Sequence, residues 1–316
     1  MSHVLGIDIG GTNTKIMVMD GLGAVVYNSS VLTVAGKPQE TLGGLAGEAK
    51  SALGQLGLDR IEAVGITVPG PTNSETGTAY FVPNLDWHNV DVRSFFENQF
   101  DCPVSIENDG NANLLGEWRF GAGKGYDDII LLALGTGLGG GILSNGLLVH
   151  GASCLAGEVG HMIVGESEEI CSCGKTGCLE SFCSGRAILR DARKMMSAHR
   201  ESVLYEYCGS DQEQLTVKMV FDGYAENDQC GILAIDRFVR YLAIGIASLI
   251  HIFNPQMVIL SGGISRSCEA FISSVRQSAE SRLMDERMKC EIVCGQLFEN
   301  AGAMGACSLA LSSLPE

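Results

Sequence analysis

An α/β fold of two related lobes facing one another is what this sequence predicts. Two apolar strand pairs support it, each closed by a glycine-rich tip. The first pair, 4–9 and 14–20, is joined by Gly10-Gly11-Thr12-Asn13. The second, 129–135 and 139–144, is joined across L-G-T-G-L-G-G-G at 134–141. They lie roughly one half-chain apart and helices follow each, a weak internal repeat. Two glycine-thinned helical segments, 110–121 and 301–311, suit helices that cross closely between the lobes.

In order along the chain, 25–33 continues the first sheet. Residues 38–57 put Leu42, Leu45, Ala49 and Leu53 at helical spacing. A buried strand over 61–68 stops at Pro69-Gly70-Pro71, a rigid turn. A helix over 92–98 and a short strand over 104–107 follow, and the 110–121 helix starts just after Asn108 and Asp109. Beyond the second hairpin come helices over 185–198, 217–226 and 232–253. The last is apolar on most sides, hence a core helix, and Asn254-Pro255 ends it. A strand over 257–260 leads into Ser261-Gly262-Gly263. Then come a helix over 268–284, a strand over 290–293 and the closing helix over 301–311, thinned by Gly302 and Gly305. Residues 1–119 with 300–316 are expected to form the smaller lobe, and 120–299 the larger.

A chain of 316 residues suggests about two domains. Its 37 acidic against 21 basic residues, a net charge of −16, speak against nucleic acid and anionic membranes as partners, since both bind through clustered Lys and Arg. The first ten residues already read as a strand rather than a secretory signal, and no apolar run approaches a membrane span. A cytoplasmic protein is expected. Twelve cysteines in this length are too dilute for a disulfide-stapled fold. Nine of them, Cys268 and Cys294 included, sit in apolar or small-residue contexts and read as reduced packing residues.

The other three lie in G-E-V-G-H-M-I-V-G-E-S-E-E-I-C-S-C-G-K-T-G-C-L-E at 157–180. Cys171, Cys173 and Cys178 fall within eight positions, ten residues after His161. Three thiols and an imidazole are the ligand set of a closed tetrahedral zinc site. Gly174 and Gly177 let the backbone turn sharply enough to converge the sulfurs. Buried free thiols beside a core histidine are the plainer alternative.

The glycine-rich tips would present backbone N–H groups to phosphates. Asp8 could hold hydrated Mg²⁺, Thr12 could donate its hydroxyl, and Lys15 could neutralise phosphate charge beside Gly10, Gly11 and Asn13. Thr136, between Gly135 and Gly137, would play the matching part on the other lobe. Each tip taken alone is equally an ordinary hairpin turn. Neither is a Walker A loop or a dinucleotide fingerprint, so ATP rather than NAD is expected. Gly262 and Gly263, at the end of a strand, suit close approach of adenine or ribose.

Glu107-Asn108-Asp109 leads into a helix, where Asp109 is either an N-cap or a base. Asn84, Asn108, Asp109, Glu158, His161 and Glu180 together can serve every hydroxyl of a hexose. An Asp facing a hydroxyl can take its proton as that oxygen attacks a phosphoryl group.

These residues resemble the ROK-family sugar kinases, which are glucokinase-like members of the hexokinase, Hsp70 and actin superfamily. The likeness covers nearly the whole chain. It rests on D-I-G-G-T-N-T-K at 8–15, P-G-P at 69–71, P-N-L-D-W at 83–87, E-N-D-G-N-A at 107–112, L-G-T-G-L-G-G-G at 134–141, G-E-V-G-H at 157–161, C-S-C-G-K-T-G-C-L-E at 171–180 and L-S-G-G at 260–263. The resemblance implies a two-lobed actin-like ATPase fold (ribonuclease H-like) with a ligand cleft between the lobes. It implies transfer from ATP, with Mg²⁺, to a hexose hydroxyl, glucose O6 by default, with Asp109 as general base. Gly70, Asn84, Asn108, Glu158, His161 and Glu180 would line the sugar, and His161, Cys171, Cys173 and Cys178 would hold structural Zn²⁺. Allose, N-acetylmannosamine and N-acetylglucosamine are the alternative acceptors, and a non-catalytic sugar sensor the alternative role. Family repressors carry a helix-turn-helix before the D-x-G-G-T strand. That strand starts here within a few residues of Met1, so the module is not expected. A homodimer is also implied.

Overall fold

In the computed structural model, which describes residues 2–209 and 211–314, β1 (His3–Ile9) and β2 (Asn13–Asp20) pair antiparallel from His3↔Asp20 to Ile9↔Thr14. β3 (Val25–Leu32) adds to β2 as an edge strand, with every second residue exposed. α1 (Pro38–Gln55) starts on a proline, whose missing N–H costs nothing at that position. It buries Leu42, Leu45, Ala49 and Leu53, the four residues at helical spacing. β4 (Ala63–Val68) is buried throughout. β5 (Thr72–Asn73), β6 (Thr78–Val82) and β7 (Trp87–Asp91) form a small separate sheet. It was not foreseen because its strands are short and their burial does not alternate cleanly. α2 (Val92–Phe100) is capped by the Asp91 carboxylate, which accepts from the Ser94 N–H. β8 (Val104–Asn108) runs directly into α3 (Asp109–Phe120).

The second half opens with β9 (Ile129–Leu134), β10 (Leu138–Ser144) and β11 (Leu147–Leu148). Helices α4 (Glu180–Cys183), α5 (Gly185–Met196), α6 (Leu204–Tyr207), α7 (Val217–Ala225) and α8 (Gln229–Phe253) follow, then β12 (Met257–Ser261), α9 (Cys268–Glu280), β13 (Glu291–Cys294) and α10 (Ala301–Ser312). α8 begins three residues earlier than its apolar pattern because Asp228 caps the amides of Cys230 and Gly231.

The internal repeat is real. One sheet runs β3-β2-β1-β4-β8 and the other β11-β10-β9-β12-β13. In both, the first three strands pair antiparallel and the last two join parallel. β1 therefore corresponds to β9, and the two glycine-rich tips are equivalent corners. α1 and α2 cover one face of the first sheet and α10 the other. α5, α7, α8 and α9 cover one face of the second, and α3 the other through Leu114. α3 and α10 thus lie back to back between the sheets. A Cβ on Gly305 would overlap the Ala112 carbonyl, and one on Gly116 the Ala301 carbonyl. The backbones can meet only because both positions are glycine.

One expectation is corrected. Cys268 and Cys294 are not reduced packing residues but form a disulfide, Cα–Cα 6.1 Å, within the usual range for a bridge. They are 26 residues apart. The β12–α9–β13 crossover brings the start of α9 and the carboxyl end of β13 to the same sheet edge, which spacing alone does not reveal.

Candidate active site

The β8–α3 junction decides what Asp109 is. Asn108, not Asp109, is the N-cap: its Oδ1 accepts from Asn111 N at 3.0 Å. Asp109 is the first helical residue. Its Oδ1 accepts from Gly110 N at 3.0 Å and from Asn108 Nδ2 at 3.2 Å, while Oδ2 takes no donor from the described residues. Burial, helped by the charges of Asp8 and Glu158, pushes its pKa from 3.8 up to about 7. The helix N-terminus and the Gly110 N–H act the other way, and burial wins. Asp8, on β1, is also raised, chiefly by burial, although the Thr67 hydroxyl donates to it at 2.6 Å. A Cβ on Gly302 of α10 would press on the Asp8 carboxylate. The glycine leaves room for the Asp8 carboxylate.

Several expected sugar-side residues gather around Asp109. Asn108 Nδ2 lies 3.5 Å from Gly70 O, in the Pro-Gly-Pro turn, where Gly70 takes φ +105. Gly110 packs against the backbone of Gly140 in β10, and Gly157 lies beside Asn111. This brings Glu158, whose side chain is 40% exposed, into the field of Asp109. Burial raises the Glu158 carboxyl and nearby His161 lowers it. His161 Nε2 sits 3.8 Å from Glu158 Oε2. Asn84 stands apart: it is exposed and lies against Gly11 at the first tip.

The ring's other nitrogen faces the thiols. His161 Nδ1 is 3.6 Å from Cys171 Sγ, and Cys173 Sγ is 3.7 Å from Cys178 Sγ. All four ligand atoms lie within 4.8 Å of one another. These residues could hold a metal ion: donors about 2.3 Å from a tetrahedral zinc stand about 3.7 Å apart. The turn works as the glycines suggest, with Gly174 and Gly177 both at φ +81. Burial, then hydrogen bonding with Cys173 and Cys171, pushes the Cys178 thiol up to about 12.

Glu180 is engaged by protein donors at both oxygens. Oε1 accepts from Ser172 Oγ at 2.5 Å and Arg186 Nη2 at 3.2 Å, and Oε2 from Leu138 N at 2.9 Å. Burial alone would raise its pKa; these donors outweigh burial and hold it low. Glu180 thereby ties the cysteine block to the second tip. Arg186 Nε also reaches Thr136 O, at 3.2 Å.

At the first tip, Gly10 N donates to Asn13 O at 3.1 Å, and Thr12 and Asn13 are exposed. Lys15 Nζ reaches the Glu299 carbonyl, with Asn300 Oδ1 at 3.5 Å. At the second, Gly135 N donates to Gly137 O at 3.0 Å and Thr136 is exposed. The two glycines after β12 differ. Gly262 takes φ +85, and a Cβ there would come within 2.5 Å of Leu134 O, so the chain itself demands glycine. Around Gly263 there is open space, with no atom within 4 Å of a Cβ.

Two residues near Asp109 escaped sequence reasoning. Glu107 is buried, and its Oε2 lies 2.6 Å from His150 Nε2. Glu107 stood inside a motif but without periodic signal. His150 lies 43 residues away, and nothing in the chain links the two.

The chain is similar in sequence and shape to sugar kinases and to repressors. The chain is 35% identical over 308 residues to a glucokinase from Thermotoga maritima, spanning 97% of this chain and 96% of that protein. It is 31% identical to a xylose repressor from Caldicellulosiruptor bescii over 99% of this chain and 79% of the repressor. A ROK family glucokinase from Streptomyces griseus in complex with glucose and AMPPNP superposes with a TM-score of 0.84 at 32% identity, over 99% of this chain and all of that one. The two-lobed actin-like α/β fold is common to them. The family model for the ROK family matches residues 4–313, and the chain belongs to the ROK family.

Proposed function

We propose that this protein transfers the terminal phosphoryl group of ATP to a hexose, with the 6-hydroxyl of glucose as the expected acceptor. The observation that carries the reading is Asp109: a carboxylate at the start of α3, with Oδ2 free of donors among the described residues and a pKa pushed to about 7. A base tuned near the working pH takes a proton best as the hydroxyl attacks. Gly70, Asn84, Asn108, Glu158 and His161 would orient the sugar. Glu180 would act on it while bracing the second tip. The tips, with Thr12, Thr136 and Lys15, would hold the phosphates, and Gly263 leaves room for the nucleoside. Asp8 would hold hydrated Mg²⁺, which neutralises charge developing on the transferred group. His161, Cys171, Cys173 and Cys178 would hold a structural zinc, which keeps the His161 segment against the Glu180 segment. AMPPNP is an ATP analogue, so the glucokinase complex supports both ligands for this chain.

A second reading is a sugar-responsive regulator without turnover, favoured by the likeness to a xylose repressor over nearly the whole chain. The net charge of −16 speaks against nucleic acid as a partner. Among the described residues no helix is long and apolar enough to cross a membrane; a cytoplasmic homodimer is the expected form. An ATP-dependent assay with glucose, allose, N-acetylmannosamine and N-acetylglucosamine tests the proposal. Fast turnover of glucose supports it, and a preference for another of the four reassigns the acceptor. Sugar binding without turnover of any hexose favours the regulator.

A further inference from the structure

The strongest unexplained feature is a buried carboxylate joined to a histidine from the other half of the chain. Glu107 lies one residue before the end of β8 in the first sheet, and only 3% of its side chain is exposed. His150 follows β11 of the second sheet, 35% exposed. Their contact, at 2.6 Å, crosses from one lobe to the other. The second Glu107 oxygen accepts from Asn108 N at 2.9 Å and from Asn111 Nδ2 at 3.0 Å. Asn108 in turn donates its side-chain amide to Asp109 Oδ1. The buried Oδ1 of Asn111 has no donor among the described residues, so Glu107 is what orients that amide. On the other side, Ala156 N donates to His150 O at 3.0 Å, closing a short loop that runs on into Gly157 and Glu158.

We propose that His150 and Glu107 form a positioning pair, which holds the Asn108–Asp109 turn in register with the Glu158 loop across the cleft. This rests on the reading of Asp109 as the base. Neither residue need touch the sugar. The pair acts through the first-turn hydrogen bonds, where a small misplacement of a base is costly in rate. The charged groups acting on His150 are Glu107 and, more weakly, Glu75; those acting on Asp109 are Asp8 and Glu158. The Glu107 hydrogen bond raises the His150 pKa against the effect of burial. When the pair is lost and the Asn108 amide turns away from Asp109 Oδ1, the base loses a donor and its pKa climbs.

His150 is partly exposed, so its variants should fold, and two of them test the hydrogen bond to Glu107. His150→Ala removes both the donor and the charge; kcat should fall about tenfold or more, with glucose affinity in the absence of nucleotide nearly unchanged. His150→Gln keeps a donor for Glu107 but not the charge, so it should recover most of that loss. In the Ala variant the acid limb of the kcat/KM profile should move to higher pH by about half a unit, and in the Gln variant it should return to the wild-type position. An Ala variant with wild-type kcat and an unmoved acid limb overturns the proposal. So does a loss of glucose affinity and Tm in parallel with kcat, not rescued by Gln, since that marks a pair that only holds the lobes together. If the wild type turns over no hexose, the kinase reading fails and the pair is judged by hydrogen exchange. The amides of 107–111 should then exchange faster in the Ala variant than in the Gln variant, and equal protection in all three proteins overturns it.

Discussion

Asp109 is held where an ionised carboxylate is costly and a hydroxyl would find it useful. Asp109→Asn keeps the size and one acceptor but cannot take a proton, so kcat should fall by about 10²–10⁴ while sugar binding survives. Residual activity above a tenth of wild type would remove Asp109 from the role. The same substitution should stabilise the fold in a pH-dependent way. Between the ordinary value of 3.8 and about 7, native Asp109 holds a proton that the unfolded chain has released. Wild-type stability therefore drops as pH rises through that window and levels off above it. The Tm advantage of Asp109→Asn should be near zero at pH 4 and greatest above pH 7, where calorimetry can read it. A further expectation follows from the free-enzyme carboxylate: the acid limb of kcat/KM should lie near pH 7, and a limb near pH 4 would mean that the base is not buried as described.

At the scale of elements, the cysteine turn and the second hairpin tip form one unit, joined through Glu180 and Arg186. Replacing Cys178 by Ser should abolish zinc binding, measured by elemental analysis against one zinc per wild-type chain. It should also weaken sugar binding, because the His161 and Glu180 segments lose their common anchor. Wild-type protein purified without chelator and free of zinc would sink the metal assignment. The α9–β13 disulfide makes a separate prediction. Protein unfolded in chelator without reductant should titrate as ten thiols, the free cysteines of the structure, and as twelve once reduced. Twelve from the start would show Cys268 and Cys294 to be thiols.

For the whole molecule, we propose that the lobes shift about the back-to-back pair of α3 and α10. We propose the bodies 1–119 with 300–316, and 120–299, as those that close on the sugar. A sugar spanning Asp109 and the Glu158–His161 segment makes its full set of contacts only when both sides approach, which is the differential affinity that closure requires. Sugar alone should lower the radius of gyration in solution scattering. Identical curves at saturating sugar would rule closure out. Gly305→Ala should push α10 off the Ala112 carbonyl, costing about 1–3 kcal/mol of stability and slowing turnover with zinc content unchanged.

What the sequence determined by itself was whatever depends on neighbours along the chain. Helical spacing placed Leu42, Leu45, Ala49 and Leu53, glycines marked both hairpin tips, and C-x-C-x4-C with its glycines foretold the converging cysteine turn. The position of Asp109 at a helix start was legible for the same reason. Its role there was not: cap and first helical residue are adjacent, and only the Asn108 side chain bonded to Asn111 N tells them apart. The small β5–β6–β7 sheet stayed hidden because short strands leave no period to read. Tertiary structure alone decided everything that pairs distant residues. Cys268 meets Cys294 because a parallel crossover returns both to one edge. Gly262 must be glycine to clear the Leu134 carbonyl, because β9 and β12 lie side by side. Glu107 meets His150 because two lobes face each other. A buried charge takes its partner from whatever surface the fold brings near, and no local pattern records that choice.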